Sequence, residues 1–120
     1  MSERRIFTQT LLLLGGNEGD VITNGRWVRS RLEEKYQVTL VSSWYASPSW
    51  GFEGPDFLNQ VVALELVDSV YDLLEYCLEL ELELGRVRSK SGGYSSRPMD
   101  IDILYHGTEI HRCEKLNVPH

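Results

Sequence analysis

The pattern of apolar residues along this chain predicts an α/β (α+β) protein, in which helices pack on an antiparallel β-sheet. Two observations lead to this prediction. Short runs rich in β-branched and apolar residues recur at the start, middle and end of the sequence, and two longer segments between them have the spacing of amphipathic helices. The 120 residues suffice for one hydrophobic core but not for two, so residues 1–120 are expected to form a single domain.

The first half of the chain contains signals for a strand, a helix and a second strand. Leu11–Leu14 is an apolar run that ends at two glycines, which is typical of a buried strand before a turn. Between residues 21 and 36, apolar side chains that include Ile22 and Leu32 recur on one helical face. Val38–Tyr45 is rich in β-branched and aromatic residues, which predicts the second strand.

The second half repeats this order. Phe57–Val67 is strongly apolar and predicts a strand. Asp68 or Ser69 can cap a helix that runs to Gly85, where glycine ends it. A last strand follows at residues 100–105, so the order is β-α-β-β-α-β, the ferredoxin-like arrangement.

The second predicted helix contains "ELELEL" at residues 79–84, which alternates like a strand. We predict helix because Leu and Glu are strong helix formers and the run continues a helical pattern from Val70. Glu81 falls in the middle of the apolar stripe of this helix, where a carboxylate is costly without a partner. It either pairs with a nearby arginine, extends to solvent at the helix end, or serves the function. The rest of the stripe is Val70, Leu73, Leu74, Cys77, Leu80 and Leu84.

Composition argues against several functional classes. The formal net charge is −6 with no long basic run, which argues against nucleic acid as a partner. No apolar run approaches the roughly 20 residues of a membrane helix, and the leucine run near the N-terminus is too short for a secretory signal. Cys77 and Cys113 lack metal-ligand spacing and are typical of reduced thiols. We therefore expect a cytoplasmic protein without nucleic-acid or membrane partners.

The segment "SSRPMDIDILY", residues 95–105, places two carboxylates on one face of the last strand. Strand alternation puts Asp100 and Asp102 together, roughly 7 Å apart, and Ile101, Ile103 and Tyr105 on the other face. Two such charges repel by about 2.4 kcal/mol at an effective dielectric constant of 20. This arrangement favours a bound cation.

A glycine-rich cationic loop precedes these aspartates, with Arg86, Arg88, Lys90 and Arg97 between residues 85 and 98. Carboxylates hold magnesium, magnesium bridges phosphate oxygens, and arginines donate bidentate hydrogen bonds to the same oxygens. The combination is typical of phosphoryl transfer. The alternative is a solvated basic loop beside an edge strand with two exposed acids.

Other features carry less weight. Gly15-Gly16-Asn17 follows a strand and is either a simple turn or a phosphate cradle. The segment 46–56 has two prolines, two glycines and two large aromatic residues, which favours a binding loop. Phe57 and Asn59 follow on one strand face, where they either pack in the core or bind a flat heterocycle. His106 and His111 are expected on the surface.

Several motifs together resemble a known family, the 6-hydroxymethyl-7,8-dihydropterin pyrophosphokinases, over almost the whole chain. The resemblance implies a ferredoxin-like fold and transfer of the diphosphate of ATP to the pterin hydroxymethyl group, releasing AMP, in folate biosynthesis. The motifs are Gly15-Gly16-Asn17, "SSWYASPSWG" at 42–51, "DFLNQVVALE" at 56–65, "GRVR" at 85–88, "RPMDIDILYHG" at 97–107 and "VPH" at 118–120.

The resemblance also implies roles for individual residues. Asp100 and Asp102 would hold two Mg²⁺ ions, with Asp102 accepting the proton of the substrate hydroxyl, and Arg86 and Arg97 would stabilise the transferring phosphates. ATP is the co-substrate, and we expect a monomer. The implied ATP contacts are Glu81, Arg86, Arg88, Tyr94, Arg97, Ile103, Lys115, Leu116, Asn117 and His120. The implied pterin contacts are Ser47, Pro48, Ser49, Trp50, Phe57, Asn59 and Asp100.

The chain departs from the family pattern at several positions. Gly16 stands where the family usually has Ser, Gly54 where Gln is common, and Leu78 where a polar residue is usual. The family continues for tens of residues beyond His120, a part that normally supplies a further arginine and the second aromatic residue of the pterin site. Loss of one stacking face costs about 1 kcal/mol of affinity. Two other hypotheses therefore stay open: a catalytically impaired nucleotide- or pterin-binding module, and a metal-dependent phosphohydrolase.

Overall fold

The computed structural model describes residues 8–48, 54–85, 98–109, 111–112 and 116–119. These residues form two helices and seven strands. In chain order they are β1 (Gln9–Gly16), α1 (Val21–Lys35), β2 (Val38–Val41), β3 (Tyr45–Ser47), β4 (Phe57–Glu65), α2 (Val70–Glu83), β5 (Asp100–His106), β6 (His111–Arg112) and β7 (Asn117–Val118).

Strands β1 to β5 form one antiparallel sheet. Its order is β2-β4-β1-β5, and β3 pairs with the same strand, β4, as β2 does. Strands β6 and β7 form a separate two-stranded ladder that the sequence did not predict. The predicted fold class, an antiparallel sheet with two helices in a ferredoxin-like arrangement, is confirmed.

The core lies between the helices and one face of the sheet. Alternate side chains of strands β4, β1 and β5 point into this core, and the buried faces of both helices pack on these side chains. Because side chains alternate along a strand, the residues between these core positions face the opposite side of the sheet. The core side chains include Leu12, Leu14, Val28, Leu32, Val62, Leu64, Leu73, Leu80, Ile101 and Ile103.

Both helices begin at side-chain caps. The carboxylate of Asp20 accepts hydrogen bonds from the Thr23 N–H (3.1 Å) and the Thr23 hydroxyl (2.7 Å), which hold the pKa of the Asp20 carboxyl below its usual value. Ser69 Oγ accepts the Asp72 N–H at 3.2 Å, so Ser69, one of the two predicted caps, starts α2. The "ELELEL" run is helical through Glu83, as predicted. Neither helix of the described ranges has the length and apolar character needed to cross a membrane.

The predicted strand 38–45 is wrong in its extent, because it is divided into β2 and β3. At the break, Ser42 Oγ accepts the Val61 N–H (2.9 Å) and the Ser42 carbonyl accepts a hydrogen bond from Gln60 Nε2 (2.7 Å). These side-chain contacts replace regular pairing for a few residues. Strand β3 then continues to Ser47, inside the segment predicted as a loop.

A register shift in β5 corrects two further predictions. Leu12 pairs with Ile103 but Leu11 pairs with Tyr105, so β5 contains one extra residue at this point. As a result Tyr105 is 41% exposed and does not share the core face of Ile103. His106, predicted on the surface, is buried, and its ring nitrogens lie 2.9 Å from Thr10 Oγ1 and 3.0 Å from Glu109 Oε2. The side chain of His111 lies outside the described residues.

Helix α1 has its buried stripe at Val21, Gly25, Val28 and Leu32, whereas Ile22, predicted to belong to it, is exposed. Gly25 is part of this stripe because Trp44 occupies the space next to it. A Cβ on Gly25 would lie 2.5 Å from the Trp44 ring. The glycine therefore lets the indole that follows the β2 break contact the helix backbone.

We expect Gly25→Ala to lower the free energy of unfolding by about 1–3 kcal/mol, because the new methyl group overlaps Trp44. The sign of the change in the free energy of unfolding is informative, because alanine at an unhindered helix position is favoured over glycine by about 1 kcal/mol. Urea unfolding measures the difference, and Glu33→Ala on the exposed side of the same helix is the control. A Gly25→Ala protein at least as stable as wild type would contradict this packing.

Candidate active site

The sheet face opposite the helices brings the predicted site residues into adjoining register positions. Gly15 of β1 pairs with Asn59 of β4 on one side and with Asp100 of β5 on the other. Asn59 in turn pairs with Tyr45 of β3, and Leu13 pairs with Asp102. Residues paired directly across strands share a face. An amide and two carboxylates, from β4 and β5, therefore lie on one open face with the Gly15 backbone between them.

Asp100 and Asp102 form a pair of oxygen donors on this face. Both are half-buried, and the strand rise separates their Cα atoms by roughly 7 Å. Among the residues that the structure describes, no group of three or more His, Cys, Asp or Glu side chains could hold a metal ion. The aspartate pair fits Mg²⁺, which keeps several waters and is bound by one or two carboxylates together with substrate phosphates.

Glu81 of α2 supports the strand that carries these aspartates. Its carboxylate is buried, and Oε2 accepts a hydrogen bond from the backbone N–H of Ile101 at 2.8 Å. Ile101 lies between the two aspartates on β5, the last strand of the sheet order. Extension of Glu81 to solvent, one of the three readings, is therefore wrong. Pairing with an arginine among residues 86–97 stays a prediction, since those residues lie outside the described ranges.

Cys77 lies one helical turn before Glu81 on α2, and its thiol is near the carboxylates of Glu81 and Asp102. Burial, and to a smaller extent the nearby carboxylates of Glu81 and Asp102, together raise the pKa of the Cys77 thiol to about 12. The thiol therefore stays protonated at neutral pH. The effect of both carboxylates on one thiol places α2 close to the aspartate strand.

Asn59 and Phe57 lie at the other side of the open face. Asn59 is buried, and its Nδ2 donates hydrogen bonds to Ser47 Oγ (2.8 Å) and to the Tyr45 carbonyl (3.4 Å) of β3. Phe57, which pairs with Ser47, is half-buried. The contacts to β3 mean that the Asn59 amide is already held in place without a ligand.

The structure corrects the interpretation of the glycines that follow Leu14. Gly15 and Gly16 belong to β1 and do not form a turn. The side chain of the next residue, Asn17, is buried, and its Nδ2 donates a hydrogen bond to the Pro55 carbonyl at 3.2 Å. Sequence reasoning missed the position of Gly15 between Asn59 and Asp100. The only signal was a glycine at the end of an apolar strand.

Comparison with known proteins identifies the family. The sequence profile described as 7,8-dihydro-6-hydroxymethylpterin-pyrophosphokinase matches residues 11–120. This chain belongs to that family. The resemblance inferred from the motifs is thereby confirmed.

Three pterin pyrophosphokinase relatives show how much of the family the chain covers. All three are called 2-amino-4-hydroxy-6-hydroxymethyldihydropteridine pyrophosphokinase. The relative from Synechocystis is 34% identical over 89% of this chain, which covers 55% of the relative. The relative from Porphyromonas gingivalis is 37% identical over 91% of this chain, which covers 77% of the relative. The relative from Methylorubrum extorquens is 37% identical over 94% of this chain, which covers 72% of the relative. The chain thus spans between about half and three quarters of these relatives.

The residues that the resemblance to pterin pyrophosphokinases assigned are only partly described. Pro48 is exposed just after β3, whereas Ile103 and Leu116 have side chains in the core. Asn117 lies in β7, and its side chain is not described. The assigned residues outside the described ranges are Ser49, Trp50, Arg86, Arg88, Tyr94, Arg97, Lys115 and His120.

We expect Glu81→Ala to lower the free energy of unfolding by about 1–3 kcal/mol, because it leaves the buried Ile101 N–H without this acceptor. Glu81→Gln keeps an acceptor oxygen and should cost less. Thermal and urea unfolding measure both variants, with Glu79→Ala on the exposed side of α2 as the control. Equal stability of the two alanine variants would contradict a supporting role for Glu81.

We expect Cys77 in the folded protein to react with iodoacetamide far more slowly than in denaturant, because burial keeps the thiol protonated. Mass spectrometry of the Cys113→Ser variant isolates Cys77. Since folding raises this pKa from 9.0 to about 12, the associated stability is present below about pH 9 and declines as the pH rises toward 12. Equal labelling rates for folded and unfolded protein would show that the thiol is accessible.

Proposed function

We propose that this protein transfers the diphosphate of ATP to the hydroxymethyl group of 6-hydroxymethyl-7,8-dihydropterin, releasing AMP, in folate biosynthesis. One observation of the structure carries the proposal: Gly15 pairs with both Asn59 and Asp100, which places a held amide and a carboxylate pair on one open face. Membership of the pterin pyrophosphokinase family supports it. The enzyme is proposed to act as a cytoplasmic monomer.

The open face has the dimensions for a pterin. Adjacent strands are about 4.8 Å apart, so the backbones of Asn59 and Asp100, two strands apart, are separated by about 10 Å. A bicyclic ring fits this span if one edge meets the amide and the hydroxymethyl end meets the carboxylates. Phe57, two residues before Asn59, is proposed to stack on the ring. Ser47 and Pro48, together with the next two residues in the sequence, Ser49 and Trp50, are proposed to line the site.

Asp100 and Asp102 are proposed to hold two Mg²⁺ ions. When bound, these ions neutralise and orient the phosphates of ATP. Asp102 is proposed to accept the proton of the substrate hydroxyl as its oxygen attacks the β-phosphorus, while Asp100 also contacts the pterin. The bond from the β-phosphorus to the oxygen of the α-phosphate breaks, and AMP leaves. Glu81 contributes by fixing the strand position between the two aspartates.

Cationic and backbone groups are proposed to bind the nucleotide. Arg86 and Arg97 stabilise the transferring phosphates, and Arg88 assists. The side chains of Ile103 and Leu116 are buried in the core. These two residues are therefore proposed to contact ATP through their backbone groups. Glu81 is also proposed to contact the nucleotide. The remaining proposed ATP contacts are Tyr94, Lys115, Asn117 and His120.

The test is AMP formation from Mg-ATP with and without 6-hydroxymethyl-7,8-dihydropterin. We expect AMP only with the pterin, and we expect Asp100→Asn and Asp102→Asn each to lower kcat by at least about 100-fold, since charge at a metal-bound phosphate contributes several kcal/mol. Asp56→Asn, at an exposed position just before β4, is the matched control. Melting temperatures close to that of wild type would show that the variants are folded.

Three outcomes would overturn the proposal. Consumption of ATP that does not depend on the pterin excludes the pterin alcohol as acceptor. Release of orthophosphate in place of AMP indicates a phosphohydrolase. Tight binding of both ligands without turnover, at any magnesium concentration, indicates a binding module.

A further inference from the structure

We propose that Ser47 and Gly15 fix the orientation of the Asn59 carboxamide, so that its oxygen faces the substrate and selects a ring edge that donates hydrogen bonds. Ser47 and Gly15 are thus positioning residues that act through Asn59. The inference rests on the proposed function, because the ring in question is the pterin. It adds to that function the physical basis of specificity for one edge of the ring.

The partners of Asn59 determine which end of its amide faces β3. The Tyr45 carbonyl can only accept a hydrogen bond, so the amide atom that faces it must be the nitrogen. The same nitrogen donates to Ser47 Oγ at 2.8 Å, the shorter of the two contacts. An amide nitrogen has two hydrogens, and β3 engages both. Asn59 therefore has no N–H left for a ligand.

Gly15 provides the space into which the amide oxygen points. Asn59 Oδ1 lies 2.8 Å from the position that a Cβ on Gly15 would occupy, which is closer than real Cβ contacts allow. The oxygen is thus directed from β4 toward β1, on the side where Asp100 pairs with Gly15. The backbone of Gly15 has no positive φ, so the glycine is needed for space and not for conformation. Any side chain here would displace the Asn59 oxygen and narrow the gap between Asn59 and Asp100.

The chemical consequence is that Asn59 offers an acceptor only. A 2-amino-4-oxopyrimidine ring, as in a pterin, presents adjacent N3–H and 2-amino donors along one edge. An acceptor oxygen matches these donors, whereas a reversed amide would place its N–H groups against them. The Tyr45 carbonyl opposes this reversal, whereas the Ser47 hydroxyl, which can donate as well as accept, holds the amide against rotation. Loss of the Ser47 hydroxyl leaves the amide held on the β3 side by the 3.4 Å contact to the Tyr45 carbonyl, so the amide can turn its oxygen away from the ring. We therefore expect discrimination between donor and non-donor rings to depend on Ser47.

The experiment measures dissociation constants for two probes by fluorescence, with saturating Mg²⁺ and a non-hydrolysable ATP analogue. One probe is 6-hydroxymethylpterin, and the other is the same ring with N3 methylated and the 2-amino group dimethylated. We expect Ser47→Ala to weaken binding of the first probe by about tenfold and to change binding of the second by less than about twofold. Ser47→Thr retains a hydroxyl and should retain most of the preference. In turnover, Ser47→Ala should raise KM for the pterin more than it lowers kcat.

The Gly15→Ala variant provides a second test of the orientation of the Asn59 amide. Its methyl group acts on the Asn59 oxygen without removing any hydrogen-bonding group, so it should also reduce the preference for the donor probe. Melting temperatures of all variants check folding, and Ser30→Ala on the exposed side of α1 is the control. If Gly15→Ala does not fold, the comparison of Ser47→Ala with Ser47→Thr still tests the inference.

The outcomes separate this inference from the proposed function. Equal preference for the donor probe in wild type and Ser47→Ala, or an equal loss of affinity for both probes, would overturn the inference while leaving the pterin site standing. Wild-type protein that binds no 6-hydroxymethylpterin would overturn the proposed function, and the inference with it. A selective loss in Ser47→Ala that Ser47→Thr restores would support both.

Discussion

The register of β1 between its two neighbours is the constraint on which the rest of the structure depends. β1 pairs with β4 and with β5, and it contacts each more extensively than any other pair of elements does within the described residues. Because side chains alternate, a shift of one residue in either pairing would exchange the core face and the open face of a strand. Leu12 and Leu14 bury one face of β1 and thereby fix where Gly15 lies on the other. The position of Gly15 in turn determines which residues of β4 and β5 are neighbours.

The aspartate strand needs support because it lies at the end of the sheet order. An edge strand presents backbone groups that have no partner strand, and a buried N–H is costly when it is not hydrogen-bonded. Glu81 supplies the acceptor from α2, so a buried helix carboxylate takes the place of a strand at this point. This contact explains a residue that an apolar helical stripe would otherwise exclude. It also couples the helix position to the spacing of Asp100 and Asp102.

The sequence was sufficient for the features that local periodicity determines. The two helices, the cap at Ser69 and the shared face of Asp100 and Asp102 follow from patterns within a few residues, and the structure contains them. Features that depend on contacts between distant segments were not predictable. The division of the predicted strand 38–45 depends on Gln60 and Val61, and the burial of His106 depends on an extra residue in β5. The neighbours of Gly15 likewise require the register, which a single sequence does not display.

The extra residue at Leu104 divides β5 into two parts that are aligned independently. The part with the aspartates is aligned by Leu12 to Gly15, and the part with His106 by Thr10 and Leu11. The hydroxyl of Thr10, besides its contact with His106, accepts the N–H of Val67, so the second part is joined to the chain that leads into α2. A chain one residue shorter at this point could keep only one of the two alignments. It would either turn the carboxylates into the apolar interior or separate the imidazole from Thr10, so chain length here is as constrained as residue type.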